Sequence, residues 1–268
     1  MKIGIIGLGL IGGSLLKSLS NKGFEVFGVS RNKETLSKAQ EYCIAVSDDI
    51  NLMASCDVVF VAVPMSKVLN TLDKLSEILP KDVIVADVSS LKEFVMNKDY
   101  PFTFVGTHPM AGTEKSGFDA SFPTLFNGAK WVITPKVNTE EKVLNILKHI
   151  IGATGATVIT ADAQAHDEAV AKISHMPMVL SQALFEMVKG DELALKLASS
   201  GFRDMTRLAM SNIDMACDMV DMNNENIQKA LCKFGLTVDD LQDNYREKIV
   251  NIASERVGMY DEDGKNKL

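Results

Sequence analysis

The sequence places a histidine where general-base chemistry is possible. His108 follows an apolar run at 103–106 that is predicted to be a buried strand. An unperturbed imidazole has a pKa of about 6.5, so His108 could accept a proton from a substrate hydroxyl. Ser90, at the end of a neighbouring predicted strand, could hold either the imidazole or that hydroxyl. From these residues alone, a loop histidine hydrogen-bonded to the backbone is an equally good interpretation.

Two arginines form a second group with chemical potential. Arg203 and Arg207 are four positions apart, so on a regular helix both would project from one face and could clamp a carboxylate. The simpler alternative is an ion pair between Asp204 and Arg207 within the helix, worth only a few tenths of a kcal/mol. The pattern slightly favours an anion site.

Two further histidines, His166 and His175, lie in the second half of the chain. They are nine positions apart, which puts them nearly opposite each other on a regular helix. Pro177 is predicted to free the carbonyl of Ile173 and to kink the helix near His175. We therefore expect His175 to line a site and His166 to have a structural or supporting role.

A glycine motif, GLGLIG at 7–12, separates the predicted strand Lys2–Ile6 from a helical pattern. Glycines at these spacings permit a tight turn, a close approach of pyrophosphate to the backbone, and close packing of helix on strand. The first N–H groups of the helix then face the phosphates. This motif predicts a dinucleotide site that includes Gly7, Gly9, Leu10, Ile11 and Gly12.

The residues after the second predicted strand indicate which dinucleotide binds. Enzymes that use NAD commonly carry an acid there, on the ribose hydroxyls. Here the residues are Ser30 and Arg31, which could hydrogen-bond and neutralise a 2′-phosphate. NADP is therefore favoured, with NAD possible. The alternative is that Arg31 is a solvated charge at a helix start.

The ends of the next two predicted strands should also face this cofactor. In open α/β sheets, ligands bind beyond the carboxyl ends of the strands. The residues there are Pro64, expected to form a wall of the site, and Ser89.

The elements that would position these residues fall into two sets. The first half alternates apolar runs with helical patterns, as in a mainly parallel sheet covered on both faces. From residue 162 onward only helical periodicity remains. The sequence thus predicts an α/β, Rossmann-type domain over 1–161 and an all-α domain over 162–268. The predicted strands are 2–6, 25–29, 58–63, 83–88, 103–106, 131–134 and 157–160, and the helical patterns between them are 11–21, 33–42, 66–79 and 139–151.

Composition narrows the range of partners. The net charge is −7, so there is no overall basic footprint for nucleic acid. No apolar run approaches bilayer length, and the four cysteines show no metal-ligand spacing, so we expect a cytoplasmic protein with reduced thiols. The helical domain is marginal for an independent core, so pairing with another subunit is expected. The polar tail at 261–268 is expected to fray.

Five blocks occur in an order that resembles the prephenate/arogenate dehydrogenase family of tyrosine biosynthesis. The resemblance runs to about Arg207 and implies an oxidative decarboxylation. Hydride leaves the ring carbon that bears the hydroxyl, carbon dioxide leaves the opposite carbon, and an aromatic ring forms. The blocks are GLGLIGGS at 7–14, DVSSLK at 87–92, GTHPMAGT at 106–113, ISHMP at 173–177 and GFRD at 201–204.

The resemblance also implies roles for individual residues. His108 would take the proton of the ring hydroxyl, and Ser90 would orient that histidine. Thr113 and His175 would line the substrate pocket. Arg203 and Arg207 would be the carboxylate partners, with Arg207 preferred. The helical domain would form a homodimer, and members that use NADP often act on arogenate.

Other interpretations share the glycine motif. A β-hydroxyacid dehydrogenase would need a lysine near a glycine-rich segment of the second domain, and Lys172 lacks those glycines. A pyrroline carboxylate reductase is a further alternative of the enzyme class. A non-catalytic module that senses NADP is an alternative of another class, although it would need no base such as His108.

Overall fold

The computed structural model describes residues 1–260 and has a sheet part followed by a helical part. The expected fraying at 261–268 lies outside the described residues. Within the described residues, eight strands form one sheet in the order β3-β2-β1-β4-β5-β6-β7-β8. The strands are β1 Lys2–Ile6, β2 Glu25–Val29, β3 Ala45–Ser47, β4 Val58–Val61, β5 Ile84–Asp87, β6 Thr103–Pro109, β7 Lys130–Thr134 and β8 Thr157–Thr160.

The strand order confirms the predicted Rossmann-type domain. All neighbouring strands pair in parallel except β6 and β7, which are antiparallel. The chain winds outward from β1 in both directions, so the sheet changes direction between β1 and β4. Ligands of such sheets bind at this switch point, beyond the carboxyl ends of the strands.

Helices cover both faces of the sheet. Alternate side chains of the central strands pack on α1 and α5 on one face, and the intervening ones pack on α3 on the other. This is why these strands are apolar throughout and do not alternate with polar residues. The helices of the sheet part are α1 Leu10–Asn21, α2 Lys33–Ala39, α3 Met65–Ile78, α4 Glu93–Met96 and α5 Glu141–Ala153.

Three details differ from the sequence-based prediction. The short elements β3 and α4 were not predicted, because three and four residues carry too little periodicity to recognise. The sixth strand does not end at Gly106 but continues to Pro109, since the residues 106–109 pair with β7. His108 therefore lies within a strand and not in the loop after it.

The helical part begins at Ala163 and contains one irregular segment that matters for the site. A π-helical turn, Ala171–His175, separates α6 from α7. Near the middle of the part, α9 ends at Met205, and Arg207 begins a separate 3₁₀ turn. Arg203 and Arg207 thus do not share the regular helix that their spacing predicted. The helices are α6 Ala163–Val170, α7 Met176–Val188, α8 Glu192–Leu197, α9 Ser200–Met205, α10 Ile213–Gln242 and α11 Tyr245–Met259.

A small apolar cluster joins the two parts. Met65 and Leu91 of the sheet part pack with Val170, Met178 and Met219 of the helical part. Two carboxylates of the helical part also cross the junction and accept from backbone N–H groups at helix starts: Asp218 accepts from Ser66 at 3.1 Å, and Asp167 accepts at the start of α4. No helix within residues 1–260 combines the length and the apolar character needed to cross a bilayer.

Candidate active site

The turn between β1 and α1 contains glycines that the fold requires and one that it does not. Gly7 has a φ of +91°, and a Cβ on Gly12 would lie 1.9 Å from the carbonyl oxygen of Gly7. A Cβ on Gly9 would meet no atom within 4 Å. Within the described residues no side chain caps α1, so the N–H groups at Leu10 and Ile11 face this open surface. The open surface and the uncapped helix start fit a bound pyrophosphate.

The three residues directly after β2, at 30–32, carry no carboxylate. The backbone N–H of Ser30 donates to Ser47 at 3.1 Å, and the Ser30 hydroxyl accepts a hydrogen bond from the backbone N–H of Asn32 at 3.3 Å. Arg31 is exposed and has no ion-pair partner in the described part of the chain. A cavity of about 180 Å³ lies between α2 and the loop at 116–119, and its lining begins at Asn32 and includes Glu34 and Asp119.

The two other predicted cofactor contacts, Pro64 and Ser89, lie at the same edge of the sheet but differ in whether a ligand can reach them. Pro64 is exposed at the start of α3, directly after β4. Ser89 is buried after β5, and its hydroxyl hydrogen-bonds to the Asp87 carboxylate and lies 3.1 Å from the carbonyl of Leu91. Pro64 therefore offers a surface to a ligand, whereas the Ser89 hydroxyl is engaged by the protein.

A buried ion pair, absent from the sequence-based prediction, supports this edge. Lys92 and Asp87 are both fully buried, and the Lys92 ammonium pairs with the Asp87 carboxylate. The ammonium also donates to the carbonyl of Thr107 at 2.7 Å. Burial lowers the pKa of Lys92, and the charge of Asp87 opposes that shift. In the sequence, Asp87 and Lys92 stand on either side of the predicted loop, and this spacing was the signal that could have indicated the ion pair.

His108 is held by residues of the helical part. Its Nδ1 lies 3.0 Å from Nε2 of His166, and Nδ1 of His166 lies 2.7 Å from the Asp167 carboxylate. His108 is half-buried, while His166 and Asp167 are buried. Desolvation, and after it the positive charge that His166, Lys92 and His175 would carry, holds the pKa of His108 well below its ordinary 6.5. The imidazole of His108 is thus neutral over the physiological range and can accept a proton.

His175 is the other buried histidine of the site. Its Nδ1 lies 3.1 Å from the amide nitrogen of Asn223, which also donates to the carbonyl of Asp167 at 3.0 Å. Because an amide nitrogen only donates, Nδ1 of His175 accepts and its proton lies on Nε2. Desolvation lowers the pKa of His175 to about 4. His175 is therefore a neutral hydrogen-bond donor.

The π-turn explains why His166 and His175 share one site. On a regular helix nine residues would put them on opposite sides. A π-turn holds more residues per turn, so it rotates the later residues back toward the face of the earlier ones. The two histidines both act on His108 electrostatically.

The remaining predicted residues are less confined. Thr113 is exposed, and its hydroxyl accepts from the backbone N–H of Lys115 at 3.2 Å. Arg203 and Arg207 are exposed; Nε of Arg203 lies 3.3 Å from the Asp204 carboxylate. Arg207 has no ion pair within the described residues. No hydrogen bond of the described structure joins any of these three residues, or Ser90, to His108.

Two site residues, Asp167 and Asn223, were not considered in the sequence-based prediction. His166 was expected to be structural or supporting, and its contact with His108 leaves that prediction in place. The adjacent His-Asp pair at 166–167 was a usable signal, because a carboxylate next to a histidine commonly fixes its tautomer. Asn223 gave none, since it lies in a long helical pattern at a residue with φ −123° and ψ 21°.

Comparison with protein families gives two adjoining matches. Residues 15–160 match the model described as prephenate dehydrogenase, nucleotide-binding domain. Residues 162–254 match the model described as prephenate dehydrogenase, dimerization domain. Together they span nearly all the described elements.

Individual proteins give the same result. The prephenate dehydrogenase of Bacillus subtilis is 30% identical over 242 residues, which cover 83% of this chain and 64% of that protein. The crystal structure of Synechocystis arogenate dehydrogenase is similar with a TM-score of 0.83 and 33% identity, covering 96% of this chain and 98% of that one. Prephenate dehydrogenase from A. aeolicus, in complex with hydroxyphenyl propionate and NAD⁺, gives a TM-score of 0.82 and 30% identity, covering 96% and 95%.

Proposed function

Since the chain belongs to the prephenate dehydrogenase family, we propose that it catalyses the NADP-dependent oxidative decarboxylation of prephenate, of arogenate, or of both. The products would be 4-hydroxyphenylpyruvate and tyrosine, respectively. A bound NADP would supply the hydride acceptor for the ring carbon that bears the hydroxyl. Membership of the family sets aside the β-hydroxyacid and pyrroline carboxylate alternatives.

One observation carries the proposal: a neutral, half-buried His108 has Nδ1 engaged by His166 and Nε2 left available. It lies in β6, at the carboxyl edge of the parallel strands where the glycine turn also lies. His108 takes the hydroxyl proton as hydride departs. When carbon dioxide leaves, the electrons of the broken bond complete the aromatic ring, and His108 returns the proton to the phenolic oxygen.

Other side chains would bind the substrate. Ser90 lies half-buried next to the site and makes no hydrogen bond within the described residues, so its hydroxyl is available to the substrate hydroxyl. His175 offers an Nε2 proton to a carboxylate. Thr113 would line the pocket. Arg207 is the preferred carboxylate partner, because Arg203 already contacts Asp204.

The residues that follow β1 and β2, at the carboxyl edge of the sheet, support the proposal that NADP is the cofactor. Gly9 leaves space for pyrophosphate, and the N–H groups of Leu10 and Ile11 would bind it. Ser30 and Arg31 would contact a 2′-phosphate, since none of the residues 30–32 directly after β2 carries a carboxylate that would repel it. These contacts favour NADP over NAD.

We also propose a homodimer. The end of α10 and α11 carry exposed apolar side chains, and contiguous patches of this kind mark interaction surfaces. A second copy of the same surface would cover them. The residues are Phe234, Leu236, Val238, Ile249, Val250, Ile252 and Val257. Light scattering of the purified chain should give twice the mass of the chain, and a mass of one chain would contradict the dimer.

We make two smaller proposals, on the domain boundary and on the compartment. The domain boundary lies near residue 161, between β8 and α6. The compartment is the cytoplasm, because all four cysteines are free and a reducing environment keeps them so.

The decisive experiment is an assay of the purified chain with NADP⁺ or NAD⁺ and with prephenate or arogenate, one pair at a time. We expect reduced cofactor to accumulate together with carbon dioxide and one aromatic product. The pair with the highest kcat/KM identifies the natural substrate and cofactor. Binding of NADP without turnover of either substrate would leave the sensing module as the better description.

A further inference from the structure

The contacts of Asp167 connect a carboxylate of the helical part to the base of the sheet part. Its Oδ1 receives the Nδ1 proton of His166 at 2.7 Å and the backbone N–H of Lys92 at 2.8 Å. Its Oδ2 receives the backbone N–H of Glu93 at 2.9 Å. Nε2 of His166 then meets Nδ1 of His108 at 3.0 Å. Asp167, His166 and His108 thus form a continuous chain of hydrogen bonds.

We propose that His166 and Asp167 are positioning residues that hold His108 in the tautomer with its proton on Nδ1, so that Nε2 is the atom that accepts the substrate proton. This inference rests on the proposed function, because it concerns the base of that reaction. Neither residue is required to touch the substrate.

The donor and acceptor capacities of the carboxylate and the two imidazoles determine which nitrogen donates in each of these hydrogen bonds. An ionised carboxylate only accepts, so the contact with Asp167 places a proton on Nδ1 of His166. A His166 ring that carries only this one proton has an acceptor at Nε2, so Nδ1 of His108 must be the donor. A neutral imidazole carries one proton, so Nε2 of His108 keeps its lone pair. With the opposite tautomer, two acceptor nitrogens would face each other at 3.0 Å.

The surroundings hold Asp167 and His166 rigidly. Asp167 is 3% exposed and His166 is 4% exposed. The carboxylate binds two N–H groups at the start of α4, and the carbonyl of Asp167 accepts from Asn223 on α10. Two elements, α4 and α10, therefore fix Asp167 in addition to its own helix, and a correct tautomer depends on the docking of the helical part against the sheet part.

The hydrogen bonds that link Asp167, His166 and His108 also offset the electrostatic cost of protonating His108. Besides His166, the groups that face His108 are Lys92 and His175, and desolvation together with positive charge on these groups disfavours an imidazolium. The imidazolium that forms during catalysis needs a negative charge within reach. Asp87 is committed to Lys92, so Asp167, acting through His166, is the carboxylate that stabilises the protonated base.

Two substitutions of His166 separate this role from simple packing. His166→Leu removes the acceptor, whereas His166→Gln can present Oε1 to the Nδ1 proton of His108. We expect kcat to fall about 100-fold in His166→Leu, as for loss of a general base, and to recover about tenfold of that loss in His166→Gln. KM and the Kd of NADP should stay within about threefold. His149→Gln, an exposed histidine on α5, is the matched control.

Equal losses in the two variants would indicate packing only, and a kcat near the wild-type value in His166→Leu would refute the proposal. Nitrogen-15 spectra of the wild-type protein give a second test that needs no variant and no turnover. Nε2 of His108 should show the shift of an unprotonated ring nitrogen and Nδ1 that of a protonated one. A proton on Nε2 would overturn the inference. Because this measurement does not depend on activity, it also distinguishes failure of the inference from failure of the proposed reaction.

Discussion

Asp87 and Thr107 are joined by two hydrogen bonds that fix the strand residue directly before His108. The Thr107 backbone N–H donates to the Asp87 carboxylate at 3.2 Å, and the Thr107 hydroxyl donates to the Asp87 carbonyl at 2.5 Å. Both residues are fully buried. The end of β5 therefore clamps β6 where the ladder between the two strands has already stopped, at Val105.

The buried ammonium of Lys92 completes this clamp. It binds the carboxylate of Asp87 and the carbonyl of Thr107, so each polar group in the cluster has a partner. Buried ion pairs add little net stability, but they impose a single arrangement when every group is satisfied. This cluster sets the position of His108 from the sheet side, while His166 sets the orientation of its ring from the helical side.

Replacing His108 should abolish most turnover without loss of cofactor binding. His108→Asn removes the base, and general-base catalysis contributes about 100-fold or more to kcat. The Kd of NADP, measured by fluorescence titration, should change less than about threefold, because the glycine turn is untouched. His149→Asn on the exposed face of α5 is the control and should keep wild-type rates. Full activity of His108→Asn would show that another group is the base.

The sequence was sufficient for the local parts of this site. The strand, glycine turn and first helix were predicted within one residue, because neighbouring residues alone specify that unit. The position of His108 was predicted less well. Residues 106–109 become strand only because β7, more than twenty residues later, pairs with them. Local periodicity does not contain that partner.

The companions of His108 were hard to predict for the same reason. His166 contacts His108, which lies 58 positions away in the sequence. Asn223 contacts Asp167, which lies 56 positions away. The periodicity of a regular helix also separated His166 from His175, and only the π-turn brings them to one site. Irregular helix geometry at a functional site is set by tertiary contacts, which a single sequence does not display.

Acid should destabilise the protein in a defined window. Burial lowers the pKa of His175 from 6.5 to about 4, and that of His108 is also lowered. Between these values the unfolded chain binds protons that the folded chain does not. The contribution to the free energy of unfolding is therefore complete above pH 6.5 and is lost as the pH falls toward about 4. Urea unfolding across this range measures it.

A variant isolates the contribution of His175 to that effect. His175→Gln cannot be protonated, so its free energy of unfolding should decline less steeply than that of the wild type between pH 6.5 and about 4. His149→Gln should keep the wild-type slope. Parallel curves for His175→Gln and the wild type would mean that the pKa of His175 is not lowered on folding.

The two arginines should differ in their effect on substrate binding. Arg207→Ala should raise KM for the substrate about 10- to 100-fold with a smaller change in kcat, as expected when hydrogen bonds between a charged donor and a carboxylate are lost. Arg203→Ala should raise KM less than about threefold, because Arg203 already contacts Asp204. Steady-state kinetics of the two variants give the comparison. The reverse order would assign the carboxylate to Arg203.

Arg31 should determine the preference for NADP. Arg31→Ala should raise KM for NADP by about tenfold or more and leave KM for NAD nearly unchanged, since only NADP carries the 2′-phosphate. Lys33→Ala removes the same charge from an exposed neighbour at the start of α2 and serves as control. Equal effects of the two variants would mean that Arg31 contributes only general positive charge and makes no specific contact with the 2′-phosphate.

The glycine turn permits a test that separates folding from cofactor binding. Gly12→Ala would place a Cβ 1.9 Å from the carbonyl oxygen of Gly7, so the turn must open, and the melting temperature should fall by several degrees. Gly9→Ala meets no atom of the protein within 4 Å. It should therefore melt like the wild type, yet its new methyl group lies where the pyrophosphate approaches the backbone. We expect Gly9→Ala to lose NADP affinity by at least about tenfold. If Gly9→Ala bound NADP as tightly as the wild type, the phosphates would not lie over this turn.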